Sequence, residues 1–212
     1  MQIYLHPGGY DTIAPLAADA QPLFYRLPKF DIELQFEPAD FIQVNGELNE
    51  RMTERAVELL QIESTHSVLD LFCGLGNFSL PIARSAGRVL GLEGDAGLVE
   101  RARANAVRNG IRNVQFMATN LMAEVQDAPW TRERYDLVLI DPPRAGAREV
   151  LPVIAASTAR RVVYVSCHPG SLARDAGILV NDYGFRLVSA GIMDMFPQTN
   201  HVESMAVFER IA

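Results

Sequence analysis

Apolar and polar positions divide the chain into two unlike parts. Up to about residue 40 the pattern is interrupted by Pro7, Gly8, Gly9, Pro15, Pro22, Pro28 and Pro38, and no helical period survives. Residues 3–5 and Ile32–Phe36 read as short strands there, the second with Ile32, Leu34 and Phe36 on one face. From Asn45 onward the pattern is regular. Met52, Ala56, Val57, Leu59 and Leu60 recur at helical spacing and predict an amphipathic helix over 47–61. Apolar strands are then predicted at 67–72, 88–93, 114–117, 135–140 and 161–166. Helices are predicted at 77–85, over the Leu98–Val107 repeat stopped by Gly110, at 147–159 and at 172–181. Strands that stay apolar at successive positions belong to a sheet covered on both faces. Alternating strands and helices predict an α/β, doubly wound, mostly parallel sheet. Two final strands, 185–195 and 204–210, have no helix between them and should pair antiparallel.

That closing pair favours the Rossmann-like class I architecture of S-adenosylmethionine-dependent methyltransferases: seven strands, mostly parallel, with an antiparallel last strand. A nicotinamide-binding Rossmann sheet would end on a parallel strand. The domain division predicted is a small β segment over 1–42, the remnant of a larger subdomain, and a catalytic domain over 43–212.

Composition narrows the chemistry. Apolar residues make up 49% of the 212 positions and charged residues 21%, enough for a substantial core. No run approaches a membrane span and no secretory leader is visible, which points to the cytoplasm. The only cysteines are Cys73 and Cys167, too few for a cysteine-ligated zinc or iron–sulfur site, so no metal is expected. A net charge of −7 weighs mildly against nucleic acid, although nearly every basic residue is arginine, which suits phosphate.

Polar residues cluster where the predicted strands end. In Asp70-Leu71-Phe72-Cys73-Gly74-Leu75-Gly76-Asn77, the glycines let backbone approach a ligand, with helix N–H groups behind them. Ser79 stands where a pyrophosphate-binding loop would carry Gly or Ala, which disfavours a dinucleotide. Glu93 ends the next strand, where a carboxylate can accept from both hydroxyls of a ribose; a solvated acid before a helix, with Asp95 capping, is the plainer alternative. Asn120 stands where an adenine is read, or else caps a helix. Gly74, Glu93 and Asn120 are thus candidate cofactor contacts.

The fourth strand runs into Asp141-Pro142-Pro143-Arg144. Two prolines stiffen the exit and hold the carboxylate at the sheet edge. An aspartate suits a base whose imide N–H donates, as uracil's does, and Arg144 suits a phosphate. The fifth strand runs into Ser166-Cys167-His168-Pro169, placing a thiol just before a helix, where the dipole is expected to lower its pKa. Cys73 reads as packing, and His168 as turn structure before an activator of Cys167. In the 195–205 stretch, read as a loop between the last strands, Glu203 is a candidate general base and His201 a candidate orienting or substrate residue.

Asp70–Asn77, Asp141–Arg144, Ser166–Asp175, Asp40-Phe41-Ile42-Gln43-Val44-Asn45 and Thr199–Met205, in that arrangement, resemble the bacterial RNA (uracil-5-)-methyltransferase family. Its 23S ribosomal RNA members look closest, and the likeness extends over essentially the whole chain. The resemblance implies S-adenosylmethionine as cofactor, RNA as partner, Cys167 adding to carbon 6 of uracil, Glu203 taking the carbon 5 proton, and Asp141 holding the uracil edge. It also implies Gln43, Phe72, Asn77, Glu93, Asn120 and Asp141 as cofactor-binding positions. A base inside folded RNA must be flipped out to reach such a site. Two departures stand out: the family's N-terminal oligonucleotide-binding barrel and the iron–sulfur cysteine set of its ribosomal members have no counterpart here. A catalytic fragment or naturally short form is expected. The rivals are an exocyclic-nitrogen methyltransferase, which needs no cysteine, and a cofactor-binding module without RNA activity.

Overall fold

The computed structural model describes residues 2–123, 125, 128–195, 197–199 and 201–211. The first part of the chain carries β1 (Tyr4–Leu5), β2 (Ala14–Pro15), β3 (Leu23–Leu27) and β4 (Ile32–Phe36) as two separate antiparallel pairs. Then come α1 (Gly46–Leu60), β5 (Ser67–Leu71), α2 (Ser79–Ala83), β6 (Arg88–Glu93), α3 (Ala96–Arg108) and β7 (Val114–Ala118). The rest is β8 (Leu137–Ile140), α4 (Leu151–Ala156), β9 (Arg161–Ser166), α5 (Pro169–Asn181), β10 (Phe185–Met193) and β11 (Glu203–Arg210).

Seven strands form one sheet in the order β10-β11-β9-β8-β5-β6-β7. The β5, β6, β7, β8 and β9 neighbours pair parallel, and β11 runs antiparallel to both β9 and β10. With no crossover helix after β10, the chain turns back at once and β11 fills the slot beside β9. The predicted class I sheet is therefore observed.

The apolar strands divide their side chains between two cores. Val68, Leu137, Leu139, Val163 and Val165 face one way, onto α1, α2 and α3. Leu69, Leu71, Val138, Ile140, Val162 and Tyr164 face the other, toward α4 and α5. Each such side chain contributes roughly 1.5–3 kcal/mol of burial, which is why these strands tolerate no polar alternation. Asp70 is the exception, fully buried within β5.

Helix starts follow their caps. Asn45 accepts from the Leu48 N–H at 3.2 Å, Asp95 from that of Leu98 at 2.9 Å, and the His168 ring from that of Ser171 at 3.1 Å. Two predicted helices are shorter than expected. The one at 77–85 contracts to Ser79–Ala83 because the chain is still leaving the glycine loop, with Gly74 at φ +55° and Gly76 at φ +99°. The one at 147–159 contracts to Leu151–Ala156, after a non-helical loop containing Gly146 at φ +89°.

The strand Leu23–Leu27 was not expected. It pairs with Ile32–Phe36, and Leu27, Ile32 and Leu34 enter the α1–α3 core. Two asparagines one turn apart, Asn105 on α3 and Asn109 at its C-cap, complete the seam. Asn105 accepts from the Gln35 N–H at 2.9 Å and donates to its carbonyl at 3.1 Å. Asn109 makes the same pair of bonds to Glu33, at 2.9 and 2.8 Å. The amides satisfy hairpin backbone that would otherwise be buried without partners.

Candidate active site

The C-terminal ends of the parallel strands open onto a cavity of about 540 Å³. In an open α/β sheet, ligands bind at this edge. Gln43, Phe72, Gly74, Asn77, Glu93, Asn120, Asp141, Arg144, Cys167 and Glu203 all line it. His201 is not among the lining residues, but its Nε2 lies 3.4 Å from the Arg144 guanidinium at the mouth. Phe196 and Asn200 of the same segment lie outside the described residues.

One half of the cavity is built from β5, β6 and the turns after them. Glu93 Oε2 accepts from the Gly74 N–H at 3.0 Å, and Oε1 from those of Gly94 and Asp95 at 2.7 and 3.0 Å. This carboxylate braces two loops at once, which the picture of a solvated acid did not anticipate. Phe72 sits at φ +65°, a left-handed conformation that costs a side chain on the order of 1 kcal/mol and turns the chain sharply into the glycine loop. A Cβ on Gly74 would meet nothing within 4 Å, so the loop leaves open space toward the cavity. Asn120 accepts from the Met122 N–H at 3.0 Å, and the described residues that follow it directly, 121–123, form a turn rather than a helix for it to cap.

Asn77 is engaged more fully than expected of a ligand contact. Its Oδ1 accepts from the Tyr25 hydroxyl at 2.9 Å and from Asn49 Nδ2 at 3.0 Å, while its Nδ2 donates to Asn49 Oδ1 at 3.0 Å. It ties the glycine loop to β3 and α1. Tyr25 itself lines the cavity; only the unnoticed Leu23-Tyr25-Leu27 alternation pointed to it. Across from these, the Asp40–Asn45 strap is pinned by Asp40 to the Arg101 guanidinium at 2.5 Å. It presents Gln43, whose Oε1 is buried without a hydrogen-bond partner. A buried lone acceptor, an open glycine loop and a braced carboxylate fit a nucleoside carrying an amino-acid end.

The other half gathers the reactive groups. Asp141 follows β8, Cys167 follows β9, and Glu203 is the first residue of β11. Glu203 is therefore not a loop residue: it is 2% exposed, and burial raises its pKa. Burial, with the charges of Glu203 and Asp70, pushes Asp141 up to about 8. At neutral pH it carries a proton much of the time, where a plain carboxylate was expected. Asp70 is pushed up to about 7, chiefly by burial; Oδ2 accepts from the Ser79 hydroxyl and Oδ1 has no partner. The Cys167 expectation is overturned. Burial, then Glu203 and Asp141, raise its thiol above the ordinary value, and Arg144 only partly opposes them. Two neighbouring acids and lost hydration outweigh a helix dipole. His168 caps α5 through Nδ1, as turn structure rather than a partner of the thiol. Cys73 is buried, with its thiol pushed up by burial, as befits packing.

Among the described residues, no group of three or more His, Cys, Asp or Glu side chains is disposed to hold a metal, and no helix is long and apolar enough to cross a membrane.

Comparison with known proteins places this geometry. A family model described as tRNA (Uracil-5-)-methyltransferase matches residues 26–211. The chain is 60% identical over 208 residues to 23S rRNA (uracil(1939)-C(5))-methyltransferase RlmD of Xanthomonas axonopodis pv. citri, covering 98% of this chain and 47% of that protein. It is 59% identical, with the same coverage of 98% and 47%, to the protein of that description from Stenotrophomonas maltophilia. The chain thus spans about half the length of the curated relatives it matches. A crystal structure of Pyrococcus abyssi tRNA (uracil-54, C5)-methyltransferase, in complex with S-adenosyl-L-homocysteine, superposes with a TM-score of 0.79 at 25% identity, over 98% of this chain and 50% of that one. On the family match over residues 26–211 the chain belongs to the tRNA (uracil-5-)-methyltransferase family.

Proposed function

We propose that this chain is the catalytic part of an S-adenosylmethionine-dependent enzyme that methylates carbon 5 of a uridine in RNA, with 23S ribosomal RNA as the target. What supports the reading is the meeting of Asp141, Cys167 and Glu203 on one cavity with the glycine loop. In this reading residues 43–212 are the catalytic domain, 1–42 a small β segment, and the site of action the cytoplasm. The region that would recognise RNA lies in the half of the relatives that this chain does not span.

Gln43, Phe72, Gly74, Asn77, Glu93 and Asn120 would hold the cofactor, Glu93 at the ribose and Gln43 Oε1 as acceptor for a donor at the amino-acid end. When bound, the cofactor supplies an electrophilic methyl group on a sulfonium. The Cys167 thiolate adds to carbon 6 of uracil, and the electron pair of the 5,6 double bond moves to the carbon 4 carbonyl oxygen. Asp141, protonated near neutral pH, can donate to a uracil carbonyl; ionised, it can accept from the imide N–H. Carbon 5, now nucleophilic, would gain the methyl as the carbon–sulfur bond of the sulfonium breaks, its electron pair staying on sulfur as a neutral thioether. Glu203, ionised, then removes the carbon 5 proton; the electron pair restores the double bond and the Cys167 thiolate leaves. Dividing the substitution this way is the gain of covalent catalysis. Arg144 and His201, joined at the mouth, face the substrate.

The test is an RNA carrying 5-fluorouridine, incubated with S-adenosylmethionine and the chain and read by denaturing mass spectrometry. Fluorine cannot be removed as a cation, so a true enzyme of this kind is trapped as a methylated covalent adduct on Cys167. An exocyclic-nitrogen methyltransferase would instead methylate RNA without an adduct and survive Cys167→Ala. A second reading, a cofactor-binding module without RNA activity, is favoured by the coverage of only 47% of the relatives and the charge of −7. It predicts cofactor binding with no methyl transfer.

A further inference from the structure

Asp175 on α5 has no part in that scheme, yet it is fully buried and fully engaged. Its Oδ2 accepts from the Tyr164 hydroxyl at 2.6 Å and from the Ala147 N–H at 2.8 Å. Its Oδ1 accepts from Arg174 Nε at 2.8 Å and lies 2.7 Å from Nη2 of the same guanidinium. Arg174 Nη2 in turn donates to the Ala145 carbonyl at 2.9 Å. Gly146 passes between at φ +89°, and a Cβ there would collide with both side chains, coming within 2.6 Å of Asp175 Oδ2.

Three segments therefore meet at one carboxylate. Tyr164 lies on β9, three residues before Cys167; Asp175 lies on the helix that starts just after it; Ala145 and Ala147 belong to the loop that leaves Asp141. Asp141 is tied to the sheet by its own N–H, which donates to the Leu71 carbonyl at 3.2 Å. Arg144 has no such backbone tie among the described hydrogen bonds; the nearest is the internal turn from the Gly146 N–H to the Pro143 carbonyl, at 2.9 Å. Besides the contact of its guanidinium with His201, the placing of Arg144 depends on how the following residues are fastened.

We propose that Asp175 is a positioning residue: through Tyr164, Ala147 and Arg174 it fastens the 144–147 loop to β9 and α5, and so sets Arg144 beside the Cys167 thiol. The proposal rests on Cys167 being the nucleophile. Arg144 and Cys167 line the same cavity, together with Glu203 from β11 and Asp141 from the end of β8, and these three charges act on the thiol. Of these only Arg144 favours the thiolate, so releasing it moves thiolate formation to higher pH.

The experiment compares the chain with its Asp175→Asn and Tyr164→Phe variants. The pH dependence of Cys167 alkylation by iodoacetamide, read by peptide mass spectrometry, needs neither RNA nor turnover. It is paired with calorimetric S-adenosylmethionine affinity and the rate of adduct formation on 5-fluorouridine RNA. In Asp175→Asn the alkylation midpoint should rise by roughly one pH unit. Adduct formation should slow about 100-fold with cofactor affinity held within about threefold, as expected when a contact group is displaced without disturbing the other half of the site. Tyr164→Phe removes one donor and should move both readouts the same way, less far; with Arg174→Lys it carries the test should Asp175→Asn not fold. An unmoved alkylation midpoint, or an adduct rate that falls only in step with cofactor affinity, overturns the proposal. If the unaltered chain forms no adduct, the nucleophile reading fails separately, while the alkylation profile still decides whether Asp175 places Arg144.

Discussion

The two halves of the cavity are built on opposite principles. On the side proposed for the cofactor, Glu93 accepts three backbone N–H groups and Asn77 is matched by Tyr25 and Asn49, while Gln43 Oε1 stays open for a donor. On the chemical side, Asp141, Cys167 and Glu203 are desolvated together, and each is pushed toward its neutral form. A binding surface gains from rigidity, because donors fixed in advance lose little entropy when a ligand arrives. A reacting surface gains from groups that exchange protons near neutral pH, which burial and like charges supply.

The contrast can be broken most sharply at Cys167. Cys167→Ala should lower methyl transfer by roughly 10⁴-fold or more and abolish the adduct, while cofactor affinity is unchanged; a calorimetric titration beside a radiolabel assay checks both. Loss of cofactor affinity would show that the halves are not separable. Next, Glu203→Gln should slow turnover about 10²–10⁴-fold while the methylated adduct accumulates on natural RNA, since addition needs no base but elimination does. Absence of that accumulation would give the proton to another group.

The chemical half should also leave a mark on stability. Asp70 and Asp141 have folded-state pKa values of about 7 and about 8, above their ordinary range. The folded state therefore binds more protons than the unfolded chain between about pH 4 and 8, so stability is full at the acid end of that window and falls as pH rises. The acids with lowered values, the exposed Glu58 and the half-buried Glu209, are ionised in both states well above pH 5 and do not mask the trend. Urea unfolding should show a loss on the order of 1–3 kcal/mol from pH 5 to 8, reduced in Asp70→Asn. A flat profile would mean that these acids are ionised in the fold.

The smallest effect belongs to the cofactor half. Tyr25→Phe removes one of two donors to Asn77 and should weaken cofactor binding by about three- to tenfold, the worth of one net hydrogen bond. The same calorimetry decides; no change would make the hairpin a mere neighbour of the site.

Much of this was legible from local pattern. The strands β5, β6, β8 and β9 are legible because both their faces are buried, and polar residues follow at their ends, from Glu93 to Cys167. Glu203 reads as a loop residue because it is the first residue of its strand, set there by its pairing with Met193 of β10. The strand Leu23–Leu27 is not legible from local pattern because it lies between Pro22 and Pro28 and exists as the partner of Ile32–Phe36, itself fastened by Asn105 and Asn109, some 70 residues away in sequence.

The amino-acid sequence by itself determined the order of strands and helices, the turn back at β11 and the residue types at each strand end, because these follow from periodicity and from steric limits on glycine and proline. Only the tertiary structure decided the electrostatic state of the site. A thiol before a helix reads as acidic when considered alone; packed against Glu203 and Asp141 and removed from water, it is held in its neutral form. The sum of desolvation and opposing charges depends on distances that no local pattern contains.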